Sequence, residues 1–317
     1  MLLLSSLTAA AALASAAPPA RLQGIEVHAP GPNGPLAGTL LQVRRARAHV
    51  VLIIPGSGPT DRNGNSPIGV AGSSYRLLAE GLAGRGVSSV RIDKRGMFGS
   101  AGAGDANAVI IPDYVRDVHN WVSAVRRRTS ARCVWLLGHS EGALVALASA
   151  QSPAGICGII LAAGPGRRVS EALRDQLRAS PGSAPFLEQA LAAVGRLEAG
   201  ERVDPAGMHP AIAPLFAPQV QDFLISLFSY DPAELIARVR LPVLILQGTA
   251  DIQVAEQDAR RLAAANPAAR LVLLPGVSHV LKQVAGSDRA ANVATYTDPN
   301  LPLANGVAEA IAEFVKQ

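Results

Sequence analysis

The pentapeptide Gly-His-Ser-Glu-Gly at 138–142, with the apolar segments on either side of it, constrains this chain more than any other feature. The run 134–137 before it has the composition of a buried strand. The run 143–150 after it is apolar all round, as in a buried helix. The pentapeptide is therefore predicted to be a tight turn between a strand and a helix, and its glycines let the two approach closely.

Short strand-like runs alternate with helical patterns along most of the chain. The predicted strands are 25–28, 36–43, 49–54, 87–92, 134–137, 156–162, 241–246 and 271–274. The predicted helices are 75–83, 113–127, 143–150, 257–265 and 307–315. Such alternation predicts an α/β fold, with a mostly parallel central sheet and helices on both of its faces.

The alternation stops between 164 and 231. This segment has several helical patterns and no clear strand. We therefore predict a helical cap at 164–231, inserted after the sixth strand into a core made of 18–163 and 232–317.

Composition and charge restrict the class of protein. Of the 317 residues, 49% are hydrophobic and 17% are charged, which is typical of a globular chain. The net charge of +5 does not indicate a nucleic-acid partner. The densest arginine runs, 44–47 and 126–128, have no interleaved aromatic residues for base stacking, and are expected to be solvated surface.

The N-terminus predicts export. Residues 1–17 are small and apolar, and Ala14-Ser15-Ala16 resembles a signal-peptidase site. The run is too short to span a bilayer stably, and no other stretch is long and apolar enough to do so. A periplasmic or secreted protein is expected, or a cytoplasmic one if this N-terminus is not a functional signal.

The two cysteines, Cys133 and Cys157, each begin a strand-like run. They fit two buried thiols, or a disulfide if the strands are neighbours and the protein is exported. The sequence leaves both alternatives open, and neither cysteine has metal-ligand spacing.

Ser140, at the centre of the turn, is the candidate nucleophile. A serine needs a neighbouring base, and on a strand–turn–helix site of this kind an acid and then a histidine follow it along the chain. Asp251 comes after the strand 241–246, and His279 is the only histidine after Asp251. Asp258 is the nearest rival for the acid, but it falls on the following helix. These residues predict acyl transfer, with His279 as base and Asp251 orienting it.

An acyl-transfer site also needs donors for an oxyanion. The backbone N–H of Glu141, directly after the nucleophile, is one candidate, and the N–H of Ser57 in the glycine-rich loop after the third strand is the other. Arg62 and Asn63 in that loop either contact substrate or hold the loop in place.

At this point the motifs resemble a known family. The segments 55–65 and 93–96, the pentapeptide and 248–251 together look like bacterial EstD-like carboxylesterases of the α/β-hydrolase superfamily. The resemblance implies an α/β-hydrolase fold, hydrolysis of short- to medium-chain acyl esters, and no cofactor or metal. It assigns Ser140, Asp251 and His279 as the triad. Asp93 and Arg95 are expected to be structural.

The substrate pocket and the leaving group are less constrained. Phe223 and Phe228 in the predicted cap are candidate pocket residues, together with Arg62 and Asn63. A thioesterase or an aminopeptidase would use the same triad. An aminopeptidase would need acidic residues for the substrate amine, and Glu188 and Glu198 are the candidates.

A non-catalytic binding module on this fold is a third alternative, although no triad member is missing. The partner expected is a small-molecule acyl ester, and the sequence does not indicate an oligomeric state.

Overall fold

The structure, a computed structural model, describes residues 23–43, 49–286 and 288–317. The predicted signal peptide at 1–17 and the arginine run at 44–47 lie outside the described residues. Within them, eight strands form one sheet: β1 Ile25–Pro30, β2 Pro35–Leu41, β3 Val50–Ile54, β4 Ser88–Ile92, β5 Val134–His139, β6 Ile156–Ala162, β7 Val243–Gly248 and β8 Arg270–Leu274.

The order of strands in the sheet is β1-β2-β4-β3-β5-β6-β7-β8. Strand β2 runs antiparallel to both of its neighbours, and every other pair is parallel. The carboxyl ends of β3, β5 and β7 therefore lie at the same edge of the sheet, which is where this class of fold binds its ligands.

The described helices are α1 Ser74–Gly84, α2 Ile111–Thr129, α3 Glu141–Ser149, α4 Val169–Ala179, α5 Leu187–Glu198, α6 Pro218–Phe228, α7 Pro232–Arg238, α8 Glu256–Ala265, α9 Arg289–Thr297 and α10 Val307–Val315. Short 3-10 turns lie at Phe98–Ala103, Pro181–Phe186 and Ala213–Phe216. No described helix has the length and apolar character needed to cross a membrane.

Helices cover both faces of the sheet, because successive side chains of each buried strand point to opposite faces. Val51 and Ile53 of β3 belong to a core cluster with α1 and α10. Leu52 of the same strand belongs to the other cluster, with α2, α3 and α8. The prediction of an α/β fold with a mostly parallel, doubly covered sheet is confirmed.

The chain between β6 and β7 is helical, as the sequence indicates. Its buried residues, Phe216 and Phe228 among them, join the cluster that packs on the α2 and α3 side of the sheet. The backbone N–H of Ile111, at the start of α2, donates to Ser226 Oγ of α6 at 3.1 Å. The division into a core and a separate cap at 164–231 stays a prediction.

Cys133 and Cys157 form a disulfide. Cys133 directly precedes β5 and Cys157 lies in β6. The two strands are neighbours in the sheet, so the two side chains meet at the end of this strand pair opposite Ser140. Of the two alternatives that the sequence left open, the structure has the bridge.

Candidate active site

Ser140 lies between the last residue of β5 and the first residue of α3, with a φ of 55°. This conformation is costly for a residue with a side chain and is typical of functional sites. The two glycines of the pentapeptide make it attainable. A Cβ on Gly138 would lie 2.0 Å from the carbonyl oxygen of Gly142, and one on Gly142 would lie 2.4 Å from that of Ile54.

The structure brings Asp251 and His279 together. His279 Nδ1 lies 2.8 Å from Asp251 Oδ2, and both side chains are buried. The other carboxylate oxygen of Asp251 accepts from the backbone N–H groups of Gln253 and Val254. Burial favours the neutral acid, but the charge of His279 and these hydrogen bonds together hold the pKa of Asp251 below its ordinary value.

Asp258, the rival acid, has a different role. It is buried on α8, and its Oδ1 accepts from the backbone N–H of Gly166 at 3.1 Å and from Arg167 Nε at 3.2 Å. It thus joins α8 to the segment after β6. Within the described residues, Asp258 forms no hydrogen bond with His279.

The loop after β3 reaches the nucleophile. A Cβ on Gly56 would lie 3.2 Å from Ser140 Cβ, so the loop backbone passes directly beside this serine. The backbone N–H groups of Ser57 and Glu141 have no acceptor within the described part of the chain. Both predicted donors are therefore free to bind an oxyanion.

Ser140 Oγ makes no hydrogen bond to His279 among the described residues, but both side chains line the same cavity. Hydrogen bonds between nucleophile and base are often long without substrate and shorten in the reactive complex. The arrangement thus has a candidate nucleophile, base, acid and two donors around one space.

A buried hydrogen-bond chain connects the parts of this site. Tyr75 Oη accepts from the N–H of Gly56 at 3.0 Å and lies 2.8 Å from His139 Nδ1. His139 Nε2 lies 2.8 Å from the carbonyl oxygen of His279. Since that carbonyl can only accept, Nε2 carries the proton and donates, and Nδ1 accepts from the tyrosine hydroxyl.

This pattern of donors and acceptors is that of a neutral His139, in which only one ring nitrogen carries a proton. Burial and the neighbouring His279 lower the pKa of His139 to about 3. Sequence reasoning missed both Tyr75 and His139 as parts of the site. His139 is among the residues that line the cavity, and its position beside Ser140 in the sequence was the available signal.

The cavity at the site has a volume of about 540 Å³, within the usual range for a small-molecule site. Its walls are the glycine-rich loop, the turn at Ser140, the residues after Asp251, and α9. Ile68, Ile252 and Val293 form its rim, and their side chains are exposed by 78%, 39% and 46%. Arg289 is the one Asp, Glu, Lys or Arg among its described lining residues.

The four predicted pocket residues do not line this cavity in the described structure. Arg62 forms an ion pair with Asp93, with Nε 2.7 Å from Oδ2. The carbonyl of Asn63 accepts from the first N–H groups of α1. Phe228 is fully buried in the core, and Phe223 packs edge-to-face on Tyr114 at 6.1 Å between ring centres. Arg62 and Asn63 therefore hold the loop, and the phenylalanines pack the helices.

The acidic residues considered for amine binding are also absent from the described lining of the cavity. Glu198 accepts hydrogen bonds from Ser170 and Arg174, and Glu188 borders a separate shallow depression. Among the residues that the structure describes, no group of three or more His, Cys, Asp or Glu side chains is arranged to hold a metal ion.

Sequence comparison identifies the relatives of this chain. The family model described as the alpha/beta hydrolase family matches residues 50–294. Esterase EstD of Thermotoga maritima is 28% identical over 210 residues, which are 66% of this chain and 48% of that protein. The chain thus spans about half the length of this curated relative. The resemblance to EstD-like carboxylesterases is confirmed as a similarity of sequence.

Solved structures share the fold at low identity. Esterase Pf2001 of Pyrococcus furiosus superposes with a TM-score of 0.58 at 16% identity, covering 96% of this chain and 95% of that one. Proline iminopeptidase of Mycobacterium smegmatis gives 0.58 at 14% identity, covering 92% and 98%. Est1E of Butyrivibrio proteoclasticus gives 0.56 at 15% identity, covering 93% and 100%. At these low sequence identities, the structural similarity shows a shared fold and nothing about activity.

Proposed function

The chain belongs to the α/β-hydrolase family, and from this premise we propose that it is a serine carboxylesterase acting on short- to medium-chain acyl esters. The observation that supports the proposal most is the 2.8 Å contact between His279 Nδ1 and Asp251 Oδ2 at the cavity that Ser140 also lines. The similarity to Esterase EstD supports an ester as the substrate class.

The proposed reaction proceeds through an acyl-enzyme. His279 Nε2 takes the proton of Ser140 as Oγ attacks the ester carbonyl, and the N–H groups of Ser57 and Glu141 bind the oxyanion. The C–O bond to the alcohol breaks as His279 returns the proton to the departing oxygen. Water, deprotonated by His279, then attacks the acyl carbonyl. The bond to Ser140 Oγ breaks as His279 returns the proton to that oxygen, and the carboxylic acid leaves.

The cavity favours ester substrates over aminoacyl ones. Its rim is apolar, which suits an acyl chain, and its described lining includes no carboxylate for a substrate amine. The same triad serves thioesters and amides, so the leaving group has to be tested directly.

Labelling with a fluorophosphonate tests the nucleophile. The wild-type protein is expected to become labelled at Ser140, and Ser140→Ala to remain unlabelled. Hydrolysis rates for p-nitrophenyl esters of increasing chain length, measured beside thioesters and aminoacyl amides, then define the substrate class. Absence of labelling and of hydrolysis for every compound would favour the non-catalytic binding module.

Variants of Asp251 and Asp258 provide a matched pair that tests which aspartate supports the base. Asp251→Asn is expected to lower kcat by about 100-fold or more, because it leaves His279 wrongly oriented and its positive charge unsupported. Asp258→Asn alters a buried aspartate of the same kind on α8, and we expect kcat within about threefold of wild type. Equal losses in the two variants would refute the assignment of Asp251.

We also propose export to the periplasm or the medium. The signal-like segment 1–17 and the disulfide between Cys133 and Cys157 support this, since disulfides persist in oxidising compartments. Mass spectrometry of the protein recovered from cell fractions tests it. A cytoplasmic protein that retains residues 1–17 would contradict the proposal.

A further inference from the structure

Lys94 is a buried cation that the proposed reaction does not use. It lies in the segment Asp-Lys-Arg-Gly at 93–96, just after β4, and is 7% exposed. Its Nζ donates to the carbonyl oxygen of Gly56 at 2.8 Å. A buried ammonium is expensive to desolvate, and a buried ion pair is weak evidence for stability, so its contacts need another explanation.

The acceptor of Lys94 belongs to the peptide group that carries a proposed oxyanion donor. The carbonyl of Gly56 and the N–H of Ser57 are two ends of one peptide bond, and no described peptide bond is cis. In a trans peptide the two groups point in opposite directions. A cation fixed on the carbonyl therefore directs the N–H of Ser57 away from Lys94 and polarises it.

Lys94 also contacts the residue that supplies the second donor. Its Nζ lies 3.4 Å from Glu141 Oε1, and the two side chains are 6% and 5% exposed. The backbone N–H of Glu141 is the second proposed donor, so a carboxylate lies buried close to the place where negative charge would develop. Such a charge disfavours an oxyanion unless a cation offsets it.

We propose that Lys94 is a positioning residue for the oxyanion hole: it orients the Gly56–Ser57 peptide and neutralises Glu141 behind the site. The inference rests on the proposed serine hydrolase function. It explains why one buried side chain contacts both the Gly56–Ser57 peptide after β3 and the carboxylate of Glu141 after β5.

Arg95 provides a matched control for Lys94. Its side chain is equally buried at 6% exposure and pairs with Asp117, with Nε 2.6 Å from Oδ2. None of its hydrogen bonds goes to the loop after β3. Lys94→Met and Arg95→Met both leave a buried carboxylate uncompensated, so they share the loss of stability but differ in their relation to the donors.

The test compares turnover with the affinity for a tetrahedral mimic. Lys94→Met is expected to lower kcat for a p-nitrophenyl ester by about 10- to 100-fold, with KM changed less than about threefold. The Ki of a trifluoromethyl ketone that forms an adduct on Ser140 should weaken by the same factor as kcat/KM. The Ki of an unreactive ester analogue should not change. Arg95→Met should keep kcat within about threefold of wild type.

A double variant separates the two roles proposed for Lys94, orientation of the Gly56–Ser57 peptide and neutralisation of Glu141. Lys94→Met/Glu141→Gln removes the carboxylate as well, and should recover about fivefold or more of the kcat lost in Lys94→Met. If Lys94→Met does not fold, Lys94→Gln keeps an N–H donor without the charge and should show a smaller loss in the same direction.

The outcomes are distinguishable. If the wild type is active and the Lys94 variant behaves like Arg95→Met, or weakens both inhibitors equally, the role of Lys94 is refuted and the esterase proposal stands. If the wild type is neither labelled nor active, the proposed function fails and the inference fails with it.

Discussion

Tyr75 connects three segments that are far apart in sequence. Its hydroxyl contacts the N–H of Gly56 after β3 and the ring of His139 at the end of β5, and His139 in turn contacts the backbone of His279. Because all of these groups are buried, each would be costly to leave without a partner. The chain fixes the loop with the proposed oxyanion donor relative to the loop with the proposed base.

Removal of this hydroxyl is expected to affect both stability and turnover. Tyr75→Phe leaves the N–H of Gly56 and His139 Nδ1 unpaired in the interior, and should lower the free energy of unfolding by about 1–3 kcal/mol. We expect kcat for an ester to fall about 10-fold while KM stays close to that of the wild type. Urea unfolding and steady-state kinetics measure the two effects.

Tyr230→Phe is the control for Tyr75→Phe. Tyr230 is half-buried just after α6 and does not line the cavity. Tyr230→Phe should therefore keep the kcat and KM of the wild type. A Tyr75→Phe enzyme with unchanged kcat would show that the hydroxyl has no part in the positioning of these loops.

Helix α9, not the helical segment after β6, forms a wall of the cavity. Val293 and Arg289 of α9 line the cavity with Ile68 from the glycine-rich loop and Ile252 after β7, whereas no described residue of 164–231 does. Selectivity for the acyl chain is therefore expected to depend on these rim residues.

An acidic residue on the rim should penalise long acyl chains. Val293→Asp is expected to raise KM for hexanoate and octanoate esters by about 10-fold, and for acetate by less than threefold, because it places a charge beside apolar substrate atoms. Leu215→Asp is the control, since Leu215 is similarly exposed at 39% but is not among the residues described as lining the cavity. Equal effects on all chain lengths would contradict this view of the rim.

The disulfide joins the amino-terminal ends of two neighbouring strands, β5 and β6, opposite the ends that carry the site. It closes a loop with a sequence separation of 24 residues. In the chain-entropy account a loop of this length stabilises by about 3 kcal/mol. The bridge should therefore affect the stability of the sheet and leave the chemistry unchanged.

Cys133→Ala/Cys157→Ala is expected to lose about 3 kcal/mol of unfolding free energy and to keep the kcat of the wild type. Reductant should shift the urea midpoint of the wild type toward that of the variant, and leave the variant itself unchanged. An identical midpoint with and without reductant would show that the bridge contributes nothing to stability.

For the molecule as a whole, the buried neutral His139 makes stability depend on pH. The ordinary pKa of histidine is 6.5, and burial lowers that of His139 to about 3. Between these values only the unfolded chain takes up the proton, so this contribution to stability is complete above pH 6.5 and is lost as pH falls toward 3. The loss amounts to about 1.4 kcal/mol per pH unit.

Unfolding free energies of wild type and His139→Gln at pH 7, 6 and 5 test this dependence. The wild type should lose about 2 kcal/mol more than the variant between pH 7 and pH 5. His28→Gln alters a histidine whose side chain is 52% exposed, and should follow the wild type. Parallel pH profiles for wild type and His139→Gln would contradict a neutral, buried His139.

Local patterns predicted the sheet, its covering helices and the candidate residues Ser140, Asp251 and His279. Each of the three follows a strand whose apolar run is visible in the sequence, and parallel strands bring their carboxyl ends to one edge. Helix α9 was missed because Val293 is the one large aliphatic residue in Arg289–Thr297, so the segment offers few positions for counting apolar periodicity.

Long-range packing determined the rest. Apolar spacing indicates that Phe223 and Phe228 are covered, but it is the same whether they face a substrate or another helix. The contacts of Tyr75 with His139 and of Lys94 with Gly56 join residues 64 and 38 positions apart. Periodicity reports the environment of a side chain and not its partner. The nucleophile could thus be located from its own segment, whereas the cavity around it required the folded arrangement of distant loops.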